Sequence, residues 1–311
     1  MRILITGVHG FVGSNLVEYL KDRHEIYGVD IVAPEKDGVV KTYSWDDMDA
    51  GILPETDAIV ALAGLAHDTK NHELQAAYFK VNTELTIKSY EYFLRSGARK
   101  FIFFSSAKAA ADTVEGVLTE DIVPCPVGPY GESKIKAEEY IGAHPAEDKD
   151  VYILRPCMIH GPGNKGNLNL LYNFVSKGVP WPLGAWDNRR TFTSVENICF
   201  VVEGLLCGSA ASGVYNMGDD ETFSTNELIR LICSRMGKKA RIWKLPRGLM
   251  RFAAKAGGRL HLPLDPGSLK KLTENYVSSN AKIKAALGID SLPVNARDGL
   301  IRTIDSFVNN K

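Results

Sequence analysis

An apolar run enters a helix through three glycines at the start of this chain: RILIT (2–6), then Gly7, Gly10 and Gly13 within GVHGFVGSNL. A run of this length and β-rich character reads as a buried parallel strand. Behind it, Phe11, Val12, Leu16, Val17 and Leu20 repeat at helical spacing. A chain that turns from strand to helix within a few residues needs glycine where the backbone bends or packs closely. The helix start then offers free N–H groups and the positive end of its dipole to an anion. The spacing is G-x-x-G-x-x-G, which a phosphate cradle and a plain tight turn both satisfy.

The alternation continues down the chain. EIYGVD (25–30), VVKTY (39–43), AIVALAG (58–64), KFIFFSS (100–106) and DVYILRP (150–156) read as strands. Residues 73–96 carry apolar positions at the spacing of one long helix, and Pro129 opens another through about Ile141. Strands alternating with helices imply an α/β fold, a Rossmann-type doubly wound parallel sheet. After Pro156 the texture changes to Gly-, Pro- and Asn-rich stretches, with GVYNMGD (213–219) as a late strand. The expected organisation is a dinucleotide-binding domain over 1–156, completed by parts of 190–220. Residues 157–311 would mostly form a smaller α/β substrate-binding lobe.

Composition removes other classes of function. Lys plus Arg and Asp plus Glu each number 37 in 311 residues, so no global field draws nucleic acid or an anionic membrane. The five cysteines lie far apart with no C-x-x-C pair, and the seven histidines form no ligand set, so no metal site is expected. An odd cysteine count without a framework suits a reducing, cytoplasmic setting. No apolar stretch reaches the length needed to span a bilayer. One segment departs from this even balance. RGLMRFAAKAGGRL (247–260) places Arg247, Arg251 and Lys255 on one helical face, as a membrane-surface helix would. Gly257–Gly258 is expected to break it, which favours an ordinary helix of the substrate lobe.

Two further features give the glycine turn a purpose. Asp30 ends the second strand, 17 residues beyond Gly13, where an acid can accept from both hydroxyls of an adenosine ribose. Ile31, Val32 and Ala33 follow, with no Arg for a 2′-phosphate, so NAD is favoured over NADP. Then Tyr130 and Lys134 in PYGESK share a helical face, and Ser106 lies at the carboxyl end of a strand. A free tyrosine, with a pKa near 10, is a poor base at neutral pH. A neighbouring ammonium and a positive nicotinamide ring both favour its phenolate. Tyr130 could then take a proton from a sugar hydroxyl while hydride leaves the carbon, with Ser106 holding the same oxygen.

With these residues assembled, the sequence resembles the extended short-chain dehydrogenase/reductase family, in its sugar-nucleotide epimerase/dehydratase branch. TGVHGFVGSNL, DAIVALAGLAH, VNTELT, FIFFSSAKA, PYGESKIKAEE, LRPCMIHGPGNKGN and RRTFTSVENI carry the likeness over nearly the whole chain. The resemblance implies NAD(P) in the first lobe, a nucleotide sugar in the second, and Ser106, Tyr130 and Lys134 as the catalytic trio. It implies a cofactor cleft lined by Gly7, Gly10, Phe11, Val12, Gly13, Asp30, Ala63, Gly64, Leu65, Asn82, Ser105 and Pro156 beside Tyr130 and Lys134. Relatives often pair as homodimers through the helices of 73–96 and 129–143. Dehydratases of the branch follow their catalytic hydroxyl residue with Asp-Glu. Ala107 and Lys108 stand there in this chain, so water elimination lacks its acid and base.

A UDP-hexose or UDP-N-acetylhexosamine 4-epimerase is therefore expected. A 4-ketoreductase of a UDP-4-keto-6-deoxy-HexNAc is the alternative. On the substrate side, Met158 occupies a position where relatives carry Asn near the diphosphate, and Asn164, Lys165 or Asn167 are candidates to compensate. Asn167 also fits as a helix cap. Arg190 matches the residue that relatives place on the diphosphate, while Arg189 should face solvent. Lys108 either faces the sugar or lies on the rim, and His67 either approaches substrate or belongs to a loop. Trp181 and Trp186 are expected chiefly to pack.

Overall fold

A computed structural model describes residues 1–65, 75–164, 166–259 and 264–309. The first part alternates as expected: β1 (Arg2–Thr6), α1 (Phe11–Leu20), β2 (Glu25–Val29), β3 (Lys41–Tyr43), α2 (Trp45–Asp49) and β4 (Ala58–Ala61). α3 (Gln75–Tyr78), a π-helical turn (Phe79–Glu84) and α4 (Leu85–Arg95) lead to β5 (Lys100–Phe104) and the one-turn α5 (Ala107–Ala110). β6 (Val117–Leu118), α6 (Pro129–Ala143) and β7 (Asp150–Pro156) follow. The second part contributes β8 (Met158–His160), α7 (Asn167–Ser176), β9 (Arg190–Ser194), α8 (Val195–Cys207), β10 (Gly213–Met217), β11 (Thr222–Phe223) and α9 (Thr225–Arg235). It closes with α10 (Arg247–Arg259), α11 (Pro266–Thr273), β12 (Val277–Ser278), α12 (Ala281–Leu287) and α13 (Ala296–Asn309).

Seven strands form the main sheet in the order β10-β7-β5-β4-β1-β2-β3, and every neighbouring pair is parallel. Its central strands are buried on both faces, which is why they read as unbroken apolar runs. One face packs α1 and α8 around Leu16, Val17, Leu20, Ile198 and Val202. The other packs α4 and α6 around Tyr90, Phe93, Ala137 and Ile141. Past β7 the chain builds a separate small sheet, β11-β9-β8, with its own apolar cluster around Tyr172, Trp181, Leu228 and Ile232. It returns once to the main sheet, where β10 takes the edge beside β7.

Three local expectations need correction. The helix expected over 73–96 is interrupted, because the backbone loosens into a π-helical turn at 79–84. That turn carries the fully buried Asn82, whose side chain is held by Leu65 and Ser133. Asn167 is the first residue of α7 and does not cap it; Gly166 holds the cap position. Finally, Gly257–Gly258 do not break α10, which runs on to Arg259. Gly257 is buried, and a Cβ at Gly258 would come within 3.1 Å of Pro266 Cδ, so this pair lets α10 approach α11.

Candidate active site

The chain winds outward in both directions from the neighbouring strands β1 and β4, and that reversal opens a crevice at their carboxyl ends. Two loops meet there. Gly7 has φ 71°, and a Cβ on it would lie 2.9 Å from the backbone of Ala63. A Cβ on Gly13 would lie 2.4 Å from the Gly7 carbonyl oxygen. Glycine at these two positions is therefore required by the turn itself. At Gly10 the nearest obstacle to a Cβ is the Gly7 carbonyl oxygen at 3.1 Å. α1 starts immediately afterwards with no side-chain cap and no acid in its first turn. The first N–H groups of the helix, at Phe11, Val12 and Gly13, are thus left for an outside anion. This cradle fits the diphosphate of a dinucleotide.

Asp30 follows β2 beside the turn. One carboxylate oxygen accepts from the His9 N–H at 3.0 Å, the other from the Ile31 N–H at 2.7 Å. Lys36, carried back by the loop after β2, donates to Ser14 Oγ at 2.6 Å, and its charge attracts Asp30. Lys36 lies six residues beyond Asp30, and only the folded loop brings it near, so the residues next to Asp30 give no sign of it. Ala63 and Leu65 are fixed from below: Thr6 Oγ1 accepts from Ala63 N–H at 3.2 Å, and Asn82 Oδ1 accepts from Leu65 N–H at 2.8 Å. The Asn82 amide also donates to Ser133 Oγ at 3.0 Å. Asn82 thereby ties the β4 loop to α6.

The three proposed catalytic residues come from adjacent elements. Ser106 caps α5, accepting from Lys108 N–H at 3.2 Å, and is 7% exposed. Tyr130 lies in the first turn of α6, with the Tyr78 ring edge-on at 6.1 Å. A Cβ at Gly131 would fall 2.5 Å from the Lys108 carbonyl oxygen, so glycine there lets α6 press against the Ser106 turn. One turn further, Lys134 is 5% exposed. Its ammonium donates to the Phe104 carbonyl at 2.8 Å and lies over the Phe103 ring at 5.0 Å. It also sits directly under Gly64, where a Cβ would be only 3.1 Å from Nζ. Burial lowers its pKa to about 8, opposed by the negative charge of Glu138.

Glu138 was not anticipated. It and Arg155 are buried together: Arg155 Nε reaches the carboxylate at 3.1 Å and Nη2 at 2.5 Å. Ser105 donates its hydroxyl to the same carboxylate. The Ser105 hydroxyl is therefore committed to Glu138, and Pro156 ends β7. A signal did exist. Arg155 is the one charge inside the apolar interior of DVYILRP, and Glu138 lies one turn beyond Lys134.

The facing wall is less uniform. Arg190 begins β9, half-buried, and donates to the Lys271 carbonyl at 3.0 Å. Lys108 is half-buried too, but its ammonium pairs with Asp112 at 3.0 Å and lies over the Tyr276 ring at 4.8 Å. Both cations act on Glu274 and on Cys157, whose thiol burial pushes up to about 12. Asn164 is buried against Ile159 and Gly166, whereas Asn167 is exposed. Arg189 pairs with Glu227 on the surface, Trp181 packs against Phe174, and Trp186 carries the Arg247 guanidinium on its ring. His67 and Lys165 lie outside the described residues. Among the described residues no group of His, Cys, Asp and Glu side chains could hold a metal ion, and no helix is long and apolar enough to cross a membrane.

A doubly wound parallel sheet with a glycine cradle at the carboxyl ends of its central strands is the architecture of a dinucleotide-binding enzyme. The chain belongs to the NAD-dependent epimerase/dehydratase family, whose model matches residues 3–218. Membership makes NAD its cofactor. The chain is 33% identical over 263 residues to a UDP-glucose 4-epimerase of Vibrio cholerae, covering 78% of each. In structure it is similar to the UDP-glucuronic acid 4-epimerase of Bacillus cereus in complex with UDP-glucuronic acid and NAD. There the TM-score is 0.79 at 20% identity, with all of both chains covered. The UDP-glucose 4-epimerase of Thermotoga maritima with UDP-glucose is similar as well, with TM-score 0.78 at 22% identity and 100% and 99% covered.

Proposed function

We propose that this protein interconverts the C4 epimers of a UDP-hexose or UDP-N-acetylhexosamine through a 4-keto intermediate. The observation that carries the reading is the buried Lys134 ammonium, set one turn from Tyr130 on a helix pressed against the Ser106 turn. The Vibrio relative's activity supports it.

The glycine cradle holds the cofactor diphosphate, and Asp30 accepts from the adenosine ribose. NAD, when bound, would supply reversible hydride acceptance. Tyr130 removes the O4 proton as the C4 hydrogen leaves with its electron pair, and Ser106 holds the same oxygen. Lys134, unable to spread its charge into water, favours the phenolate of Tyr130. Epimerisation requires the keto sugar to present its other face in the cleft, and Tyr130 would then give the proton back to O4. Arg190 binds the substrate diphosphate, and Lys108 and Asn167 lie on the substrate side. Leu85, Ile87, Leu94 and Ile135 are half-buried on the helices where a homodimer would form, which light scattering would establish.

The test is proton NMR of the purified protein with UDP-glucose, UDP-GlcNAc and their C4 epimers, without added reductant. Formation of the epimer is the expected result. No epimer from either sugar, together with stoichiometric consumption of reduced cofactor on a 4-keto substrate, would assign the same residues to a 4-ketoreductase.

A further inference from the structure

Ten Lys and Arg residues, and no Asp or Glu, lie between Leu228 and Leu264. The rest of the chain holds 27 basic against 37 acidic residues, so an even total hides a strong separation of charge. α10 lies in this segment. It buries Met250, Ala254 and Gly257, and the rest of its circumference faces out in two rows. Arg247, Arg251, Lys255 and Arg259 recur every four residues and line up along the axis. Beside them run Leu249, Phe252, Ala253 and Ala256, at the spacing of a helical stripe. Leu249 is 54% exposed and Phe252 72%, and Trp243, on the segment entering the helix, is 55% exposed. Among the described residues no acidic side chain pairs with Lys244, Arg251, Lys255 or Arg259.

Unpaired cations beside an exposed apolar stripe match a bilayer surface in both layers: anionic headgroups for the first row, the acyl boundary for the second. Thirteen residues are too few to span, so the helix would lie in the plane. Nucleic acid would use the cations but leave Leu249 and Phe252 exposed. A second copy meeting this face about a two-fold axis would set like charges against each other. We infer that α10 and Trp243 dock the protein reversibly on an anionic membrane surface.

Co-sedimentation of the full chain with vesicles tests this. The protein should pellet with vesicles containing phosphatidylglycerol, stay in solution with phosphatidylcholine alone, and be released by high salt. Arg251→Glu with Lys255→Glu should weaken partitioning by about thirtyfold, from about fivefold per lost cation. Leu249→Asp with Phe252→Asp should weaken it comparably. Both pairs should keep the wild-type melting temperature and epimerisation of soluble substrate, because their side chains face outward. Absence of pelleting, or equal pelleting without phosphatidylglycerol, overturns the inference. So does binding to DNA that matches vesicle binding and ignores Phe252, or a mass increase in solution that Phe252→Asp abolishes.

Discussion

The two walls of the cleft are built on different terms. At the sheet end, Asn82, Glu138 and Lys134 are buried and already have protein partners: Asn82 on Leu65 and Ser133, Glu138 on Arg155 and Ser105, Lys134 on Phe104. On the facing wall, Lys108, Asp112, Lys270 and Glu274 form a looser set of mixed charges, partly open to water. Saturated, buried partners fix one geometry, as a wall serving one cofactor and one chemistry requires. Exposed ion pairs are worth little and rearrange cheaply, so a wall made of them can be retuned to another sugar without cost to the fold.

Substitutions can break this contrast. The largest effect is expected at Tyr130. Tyr130→Phe should lower kcat by about 10²–10⁴-fold, the usual contribution of a positioned acid-base group. The amount of NAD that copurifies, read by absorbance and mass after denaturation, should not change. Activity within tenfold of wild type would remove Tyr130 from the reaction.

Glu138→Gln comes next. It strands the Arg155 guanidinium in the interior and should cost roughly 3–5 kcal/mol in urea unfolding. Combining it with Arg155→Met should recover part of that loss, since neither charge then remains buried. A single-variant cost below about 1 kcal/mol would show that the pair is not what holds this wall together.

Lys134 sharpens the contrast, because there function and stability oppose each other. Its pKa in the folded protein is about 8 against an ordinary 10.5. Between those values the unfolded chain binds more protons than the native one, so stability rises with pH across that window. Below pH 8 the penalty of burying the charge is present in full. Lys134→Met should therefore stabilise the protein at pH 7 by about 2 kcal/mol, after about 1 kcal/mol for the lost hydrogen bond to Phe104. The gain should shrink as pH approaches 10.5, while turnover collapses. Unfolding curves at pH 7 and pH 10 check it, and equal gains at both would refute the burial argument.

The same contrast decides what could be read in the sequence. The sheet end was legible because its demands are local: Gly7 and Gly13 cannot bear a side chain, and Tyr130 and Lys134 share a helical face by spacing alone. The partners that reach across the fold left weaker traces. Lys36 meets Asp30 only because a loop folds back, and Glu138 meets Arg155 only once α6 packs on the sheet. Local rules also failed where tertiary packing overrode them. The glycine pair in α10 read as a break, yet it makes room for Pro266. The side chain of Asn82 draws on two other elements, and the helix read over 73–96 yields to a π-helical turn there. The substrate wall was least legible, since its ions come from segments more than a hundred residues apart.

Lys108 is where the looser wall can be measured directly. Its position two residues after Ser106 would let it reach a sugar, but its ammonium already has Asp112 and the Tyr276 ring. The pair is about one third exposed on each side, so releasing the lysine costs little and removing it forfeits little. Lys108→Met should raise KM for the nucleotide sugar by about threefold or less and leave kcat nearly unchanged, the scale of an exposed ion pair. A KM increase well beyond that, with Asp112→Asn nearly silent, would mean that substrate draws Lys108 off its carboxylate and onto the sugar. The two walls would then differ less than their resting geometry implies.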